Sequence, residues 1–195
     1  MSRDVYALVL AAGLSRRYGR LKLLEEFSGT PLLRHALTAA QAACRGKVVL
    51  VTGHASEDIV NAASGLADDV VLNREYRSGI GSSIAKGVSH LTENAAAVII
   101  MLADQPLVTA AHIDQIIEKW SNDPDAIVAT RYSGVDGPPV LFGHRYFAEL
   151  CELEGDAGAR HVLQAYQDAV RTVEFEQAAI DIDTPDDLKA LLSQR

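Results

Sequence analysis

Short runs of β-branched and other apolar residues recur along this chain, each separated from the next by a longer amphipathic stretch. That alternation leaves few folds open. Val5-Tyr6-Ala7-Leu8-Val9-Leu10 reads as a buried strand, and so do the runs Lys47–Val51, Asp69–Leu72, Val98–Leu102 and Ala126–Ala129. Several are apolar on both faces, as in central strands of a parallel sheet covered on both sides. Between them, Thr30-Pro31 opens a helical pattern through Leu32, Leu33, Leu37 and Ala40, with the proline expected at the first helical position. Further helices are predicted from Ser56, over Ser83–Leu91 and over Thr109–Trp120. A last one opens at Thr184-Pro185-Asp186-Asp187, a cap, a first-position proline and an acidic first turn. The β-α-β-α order predicts an α/β fold over residues 1–195. The expectation is a single three-layer, doubly wound domain with a mostly parallel, Rossmann-like central sheet. Ligands of such sheets sit beyond the carboxyl ends of the strands, so the residues that follow each strand deserve the closest reading.

Composition narrows the function classes. With 48% hydrophobic residues, 23% charged residues and 195 residues in all, the chain can bury roughly 70% of its unfolded surface and needs no disulfide or structural metal to hold together. Its net charge of −8 argues against nucleic acid as a partner, because that binding depends on basic residues displacing phosphate counterions. Cys44 and Cys151 are the only cysteines and form no Cys-x-x-Cys pair, which fits a reducing, cytoplasmic setting. The longest apolar stretch, Ala95 to Ala103, falls far short of the ~20 residues of a membrane span. Val5 to Ala12 after Arg3 imitates a signal peptide, but Asp4 breaks the expected charge pattern. The histidines lack metal-ligand spacing; His35, His90 and His112 are read as surface or partly packed helix residues, and Trp120 as core.

The loop after the first strand is the clearest candidate site. Leu10, Ala11, Ala12, Gly13 and Ser15 are small or sit where the backbone can approach a ligand, and successive free N–H groups there form an anion nest. Arg17 and Lys22 add positive charge beside it, one as a fork and one as a mobile point charge. The pattern is neither G-x-G-x-x-G nor the GK[ST] phosphate loop. A glycine-bearing turn with solvated basic residues is the plainer alternative. Asp104 directly follows an intensely apolar strand, where a carboxylate is costly unless paired. A divalent cation carrying phosphates is a natural partner, and helix capping is left to Thr109. Near the C-terminus, Asp181 and Asp183 lie two apart on an extended segment and so share a side. Between a strand and a helix, Asn73 opens a loop in which Gly79 and Gly81 give backbone freedom. Ser82 and Ser83 there can read a polar edge or simply cap the helix.

Taken together, Leu10-Ala11-Ala12-Gly13-x-Ser15-x-Arg17-x-Gly19 followed by Lys22, Asp104-Gln105-Pro106, the Gly79-x-Gly81-x-Ser83-Ile84 loop and Gly155-Asp156-Ala157-Gly158-Ala159-Arg160 resemble the molybdenum cofactor cytidylyltransferases. These are relatives of the molybdopterin guanylyltransferases within the nucleotide-diphospho-sugar transferase superfamily. The resemblance implies a Mg2+-dependent nucleotidyltransferase that moves CMP from CTP to the terminal phosphate of molybdopterin cofactor and releases pyrophosphate. It implies that Arg17 and Lys22 are catalytic, and that Leu10, Ala11, Ala12, Gly13, Ser15, Asn73, Gly79, Gly81, Ser82 and Ser83 contact the nucleotide. Asp104 and Asp183 are implied as metal ligands, with Asp181 competing for the second place. Gly137, Pro138, Asp156 and Arg160 fall on the acceptor side. Pro138 departs from the histidine and Leu141 from the glycine of many members, which leaves the acceptor open. The implied partners are CTP, the cofactor and a molybdenum hydroxylase receiving the product. Alternatives are GTP or another phosphorylated acceptor with the same chemistry, and a non-catalytic carrier that inserts the cofactor.

Overall fold

Along β1 (Asp4–Ala11) successive side chains enter two different cores, Ala7, Val9 and Ala11 one of them and Leu8 and Leu10 the other. The same split recurs where Val48 and Leu50 of β4 part from Val49 and Val51, and Ile99 and Met101 of β6 part from Val98 and Ile100. A strand has period two, so only a sheet covered on both faces can be apolar at every position. The computed structural model describes residues 4–91, 94–156 and 158–193; Arg3 and Ala157, which entered the sequence reading, lie outside them.

The elements run β1, β2 (Glu26–Phe27), β3 (Thr30–Pro31), α1 (Leu32–Cys44), β4 (Val48–Thr52), α2 (Ser56–Ala62), β5 (Asp69–Leu72), α3 (Ile80–Val88), β6 (Ala95–Leu102) and α4 (Ala110–Trp120). They continue with β7 (Ile127–Tyr132), β8 (Val135–Gly143), α5 (Phe147–Cys151), α6 (Arg160–Ala165), β9 (Val170–Glu174) and α7 (Pro185–Ser193). Seven strands form one sheet in the order β5-β4-β1-β6-β8-β7-β9, parallel except that β8 runs antiparallel to both its neighbours. Helices α1, α2 and α4 cover one face, and α3, α5 and α6 the other. This is the expected three-layer, mostly parallel α/β fold. The strand order turns from β4 to β6 across β1, so the loops after β1 and β6 flank a switch point.

A third, smaller cluster joins the loop after β1 to the C-terminal helix: Tyr18, Phe27, Leu32, Ile182, Leu188 and Leu191 pack together. It decides where Arg17 and Asp183 stand, since each is the chain neighbour of a residue buried in that cluster.

Several expectations need correction. Pro31 is the N-cap of α1 rather than its first residue, because it also pairs with Glu26 in the β2–β3 hairpin. The helix expected over Ser83–Leu91 begins at Ile80, capped by Gly79. His112 is 2% exposed, not a surface residue. Its Nε2–H donates to Thr130 Oγ1 at 2.9 Å, since the Thr130 hydroxyl proton is spent on the Pro139 carbonyl, and its ring stacks on Phe175. Strands β2, β3, β8 and β9 go beyond the five strands expected from the sequence. The hairpin that creates β8 turns on Ser133-Gly134, and that of β2–β3 on Ser28-Gly29, with φ positive at both residues of each pair. This is the two-residue turn whose twist matches antiparallel strands.

Candidate active site

The β1 strand delivers its chain into a turn in which the Ser15 carbonyl accepts from the N–H groups of Tyr18 and Gly19. Tyr18 then locks into the satellite core, and Arg17, one residue earlier, is left at the rim with its side chain 72% exposed. Lys22 opens a short 3-10 turn and points inward, its side chain only 13% exposed. From the end of β6, Asp104 reaches the same space. Its backbone carbonyl accepts from Ile182 N–H at 3.0 Å, a bond that brings Asp183 alongside. Gln105, almost fully buried, ties the same two segments through its Nε2–H to the Ala178 carbonyl at 2.8 Å.

The charges then converge. Lys22 Nζ donates to Asp104 Oδ2 at 2.7 Å and to Asp183 Oδ1 at 2.9 Å, while the Arg17 guanidinium meets Asp183 Oδ2 at 2.6 Å. Burial works against the Lys22 charge, but the charges and hydrogen bonds of Asp104 and Asp183 outweigh it and hold its pKa above the ordinary lysine value. Asp181 stands close enough to feel these groups without pairing with Lys22. Desolvation, then the Asp183 carboxylate, raise its pKa. Asp187 instead accepts from the Thr184 N–H and hydroxyl, the capping role expected of the first turn of α7.

Around this cluster lies a cavity of about 470 Å³. Of the residues singled out in the sequence, Leu10, Ala11, Ala12, Gly13, Ser15, Arg17, Lys22, Gly79, Ser83, Asp104, Asp156 and Asp183 line it. The others stand elsewhere. Asn73 is buried, and its Nδ2 donates to the hydroxyls of Ser82 and Ser83 while its Oδ1 accepts from Glu75 N–H, so it staples the loop that it opens. Asn73 and Ser82 border a separate groove on the far side of that loop. Gly79 has φ +113°, and a Cβ there would lie 2.2 Å from the Gly155 backbone. Gly81 N–H donates to the Gly155 carbonyl. These glycines therefore dock one motif segment on another, which places Asp156 at the cavity. Gly137 and Pro138 lie within β8, and Arg160 borders a groove with Arg131 and Gln164, away from the cluster. Sequence reasoning passed over Arg16, Tyr76 and Arg77, which also line the cavity. The run Tyr76-Arg77 just before Gly79 was the available signal.

A doubly wound sheet with a basic loop and two carboxylates meeting at its switch point is the architecture of a nucleotide-handling α/β protein. Residues 7–170 match the MobA-like NTP transferase domain, and the chain belongs to this family within the nucleotidyltransferase superfamily. It is 29% identical to purine catabolism protein PucB of Bacillus subtilis over 91% of both chains. It is also 29% identical to nicotine blue oxidoreductase of Paenarthrobacter nicotinovorans over 96% of each. The crystal structure of Rv0371c from Mycobacterium tuberculosis superposes with a TM-score of 0.83 at 30% identity, covering 97% of this chain and 98% of that one. A second structure of Rv0371c is a complex with manganese. No helix among the described residues is long and apolar enough to cross a membrane.

Proposed function

We propose that the chain transfers CMP from CTP to the terminal phosphate of molybdopterin cofactor and releases pyrophosphate. The observation that carries this reading is the meeting of Lys22, Arg17, Asp104 and Asp183, from three distant segments, on one cavity under the β1 loop. The donor set fits a hard divalent cation such as Mg2+: both acids touch a single ammonium, so Asp104 and Asp183 would together hold one compact cation. No group of three or more His, Cys, Asp or Glu side chains suited to a metal occurs among the described residues, which leaves phosphate oxygens and water to complete the shell, as magnesium prefers. An ion held there would supply positive charge to the phosphates.

The acceptor phosphate is already an anion, so attack on the α-phosphorus in line with the leaving pyrophosphate needs no general base. Lys22 and Arg17 stabilise charge as it moves onto the pyrophosphate, and the small residues Ala11, Ala12 and Gly13 let the backbone approach the phosphates. Ser83 and Gly79, on the cavity wall, support a place for the base, and the Leu10-Ala11-Ala12-Gly13 opening supports cytosine over guanine through the family resemblance. Asp156 supports an acceptor end. In the same reading the protein works in the cytoplasm, hands its product to a molybdenum hydroxylase, and engages neither nucleic acid nor membrane.

Two observations favour a second acceptor: Arg160 faces a different groove, and Pro138 and Leu141 depart from the resembled pattern. Pyrophosphate release with Mg2+ and each of CTP, GTP, ATP and UTP, with and without molybdopterin cofactor, tests both readings. Release that needs CTP and the cofactor is expected. Release with another phosphorylated acceptor selects the second reading, and a protein that binds the cofactor yet releases nothing is an insertion carrier.

A further inference from the structure

The two acids assigned to a divalent cation are already held by cations of the chain itself. Lys22 bridges Asp104 Oδ2 and Asp183 Oδ1, and Arg17 takes the other oxygen of Asp183. Three of the four carboxylate oxygens are thereby engaged. The Lys22 ammonium touches both acids, so a cation held by the same two oxygens would take its place. A divalent cation shared by those oxygens would displace Lys22, and one that also drew on Asp183 Oδ2 would loosen Arg17.

Displacement has different consequences for free and nucleotide-bound cations. A free cation would take from the Lys22 ammonium, 13% exposed, the two carboxylates that now hold it in a partly desolvated cavity. A polyphosphate arriving with the cation supplies anionic oxygens for both displaced groups. The backbone need not move for this exchange. Tyr18, between the two basic residues, is fixed in the satellite core, while Arg17 is at the rim and Lys22 is a long, unbranched side chain.

From this geometry, and resting on the reading of Asp104 and Asp183 as cation-holding acids, we propose that Lys22 and Arg17 are ligand-discriminating residues. They close the carboxylate pair to a free divalent cation and open it to a cation–polyphosphate unit. The coupling is reciprocal: the nucleotide strengthens cation binding by the same factor as the cation strengthens nucleotide binding. A nucleoside monophosphate, with a single phosphate to receive two basic groups, couples less than a triphosphate.

Mn2+ binding without nucleotide, followed by the electron paramagnetic resonance signal of the free ion, tests the proposal in wild type, Lys22→Met, Arg17→Met and Asp104→Asn. Lys22→Met is expected to bind Mn2+ about tenfold tighter than wild type. Arg17→Met, at a mostly exposed position, is expected to gain about threefold, in the range of a single ion pair near the surface. Combining Lys22→Met with Asp104→Asn should erase the gain. If wild type and both single variants bind equally, and Asp104→Asn abolishes binding, the acids hold the cation but the discrimination does not exist. If Mn2+ binds to none of them, or binds irrespective of Asp104, the metal reading falls and this proposal with it. Should Lys22→Met not fold, Arg17→Met decides alone, and an unchanged affinity there overturns the proposal.

Discussion

A lysine ammonium that is 13% exposed keeps its proton only if something outweighs the cost of burial, and for Lys22 two carboxylates do so. It is therefore a permanent cation at neutral pH, suited to holding phosphate charge and unsuited to acting as a base. Lys22→Ala should retain the fold by circular dichroism and lower nucleotidyl transfer about 10²–10³-fold, the usual loss on removing one donor to a developing oxyanion. Steady-state pyrophosphate release measures it, and unchanged turnover would reject the role. Lys22 and Asp104 were legible because each departs from its surroundings, a cation after a turn of small residues and an acid at the end of an apolar strand. Asp183 was not separable from Asp181 by pattern, since alternate residues on an extended segment face one way. The distinction comes from the bond between Ile182 N–H and the Asp104 carbonyl, which sets Asp183 within reach of Lys22.

At the scale of elements, α4, β7 and β8 are joined by a buried polar chain, His112 to Thr130 to the Pro139 carbonyl. Burial lowers the His112 pKa from 6.5 to about 4, so the folded protein holds it neutral. Above pH 6.5 both folded and unfolded states are neutral and its contribution is complete. As pH falls towards about 4 the unfolded state takes up a proton that the folded state refuses. Stability should decline over that window by roughly 3 kcal/mol, and no further from this residue below it. Urea unfolding at pH 7, 6 and 5 checks the slope. His112→Gln, which keeps a donor for Thr130 and does not titrate, should flatten it. The sequence put His112 on a helix correctly but could not say which face the helix turns to β7. Likewise β8 escaped notice because its residues Gly137-Pro138-Pro139 read against a strand, whereas the Ser133-Gly134 turn and its neighbours hold it in place.

Across the whole molecule, an overall charge of −8 coexists with Arg16, Arg17, Lys22 and Arg77 on the wall of one cavity. Three carboxylates, Asp104, Asp156 and Asp183, share that wall. These cations therefore form a local basic cluster in an acidic protein, suited to a small polyanion that arrives with its own cation rather than to a long one such as nucleic acid. Ligand binding to the folded state alone stabilises it by mass action. CTP with Mg2+ at about a hundredfold its dissociation constant should therefore add ~2.7 kcal/mol. For a chain of this size that is a rise in Tm of about 5–10 °C, larger than with GTP, ATP or UTP; equal shifts with all four would remove the case for cytosine. The doubly wound sheet, its burial on both faces and the loops that line the cavity were set by local pattern, because strand periodicity and helix caps are written in adjacent residues. Tertiary structure alone decided that Asp104 and Asp183 share one ammonium, that Gly79 and Gly81 lie against Gly155, and that Arg160 faces another groove. Those outcomes depend on how distant segments pack over a common sheet, and spacing along a chain holds no record of the direction from which two segments meet.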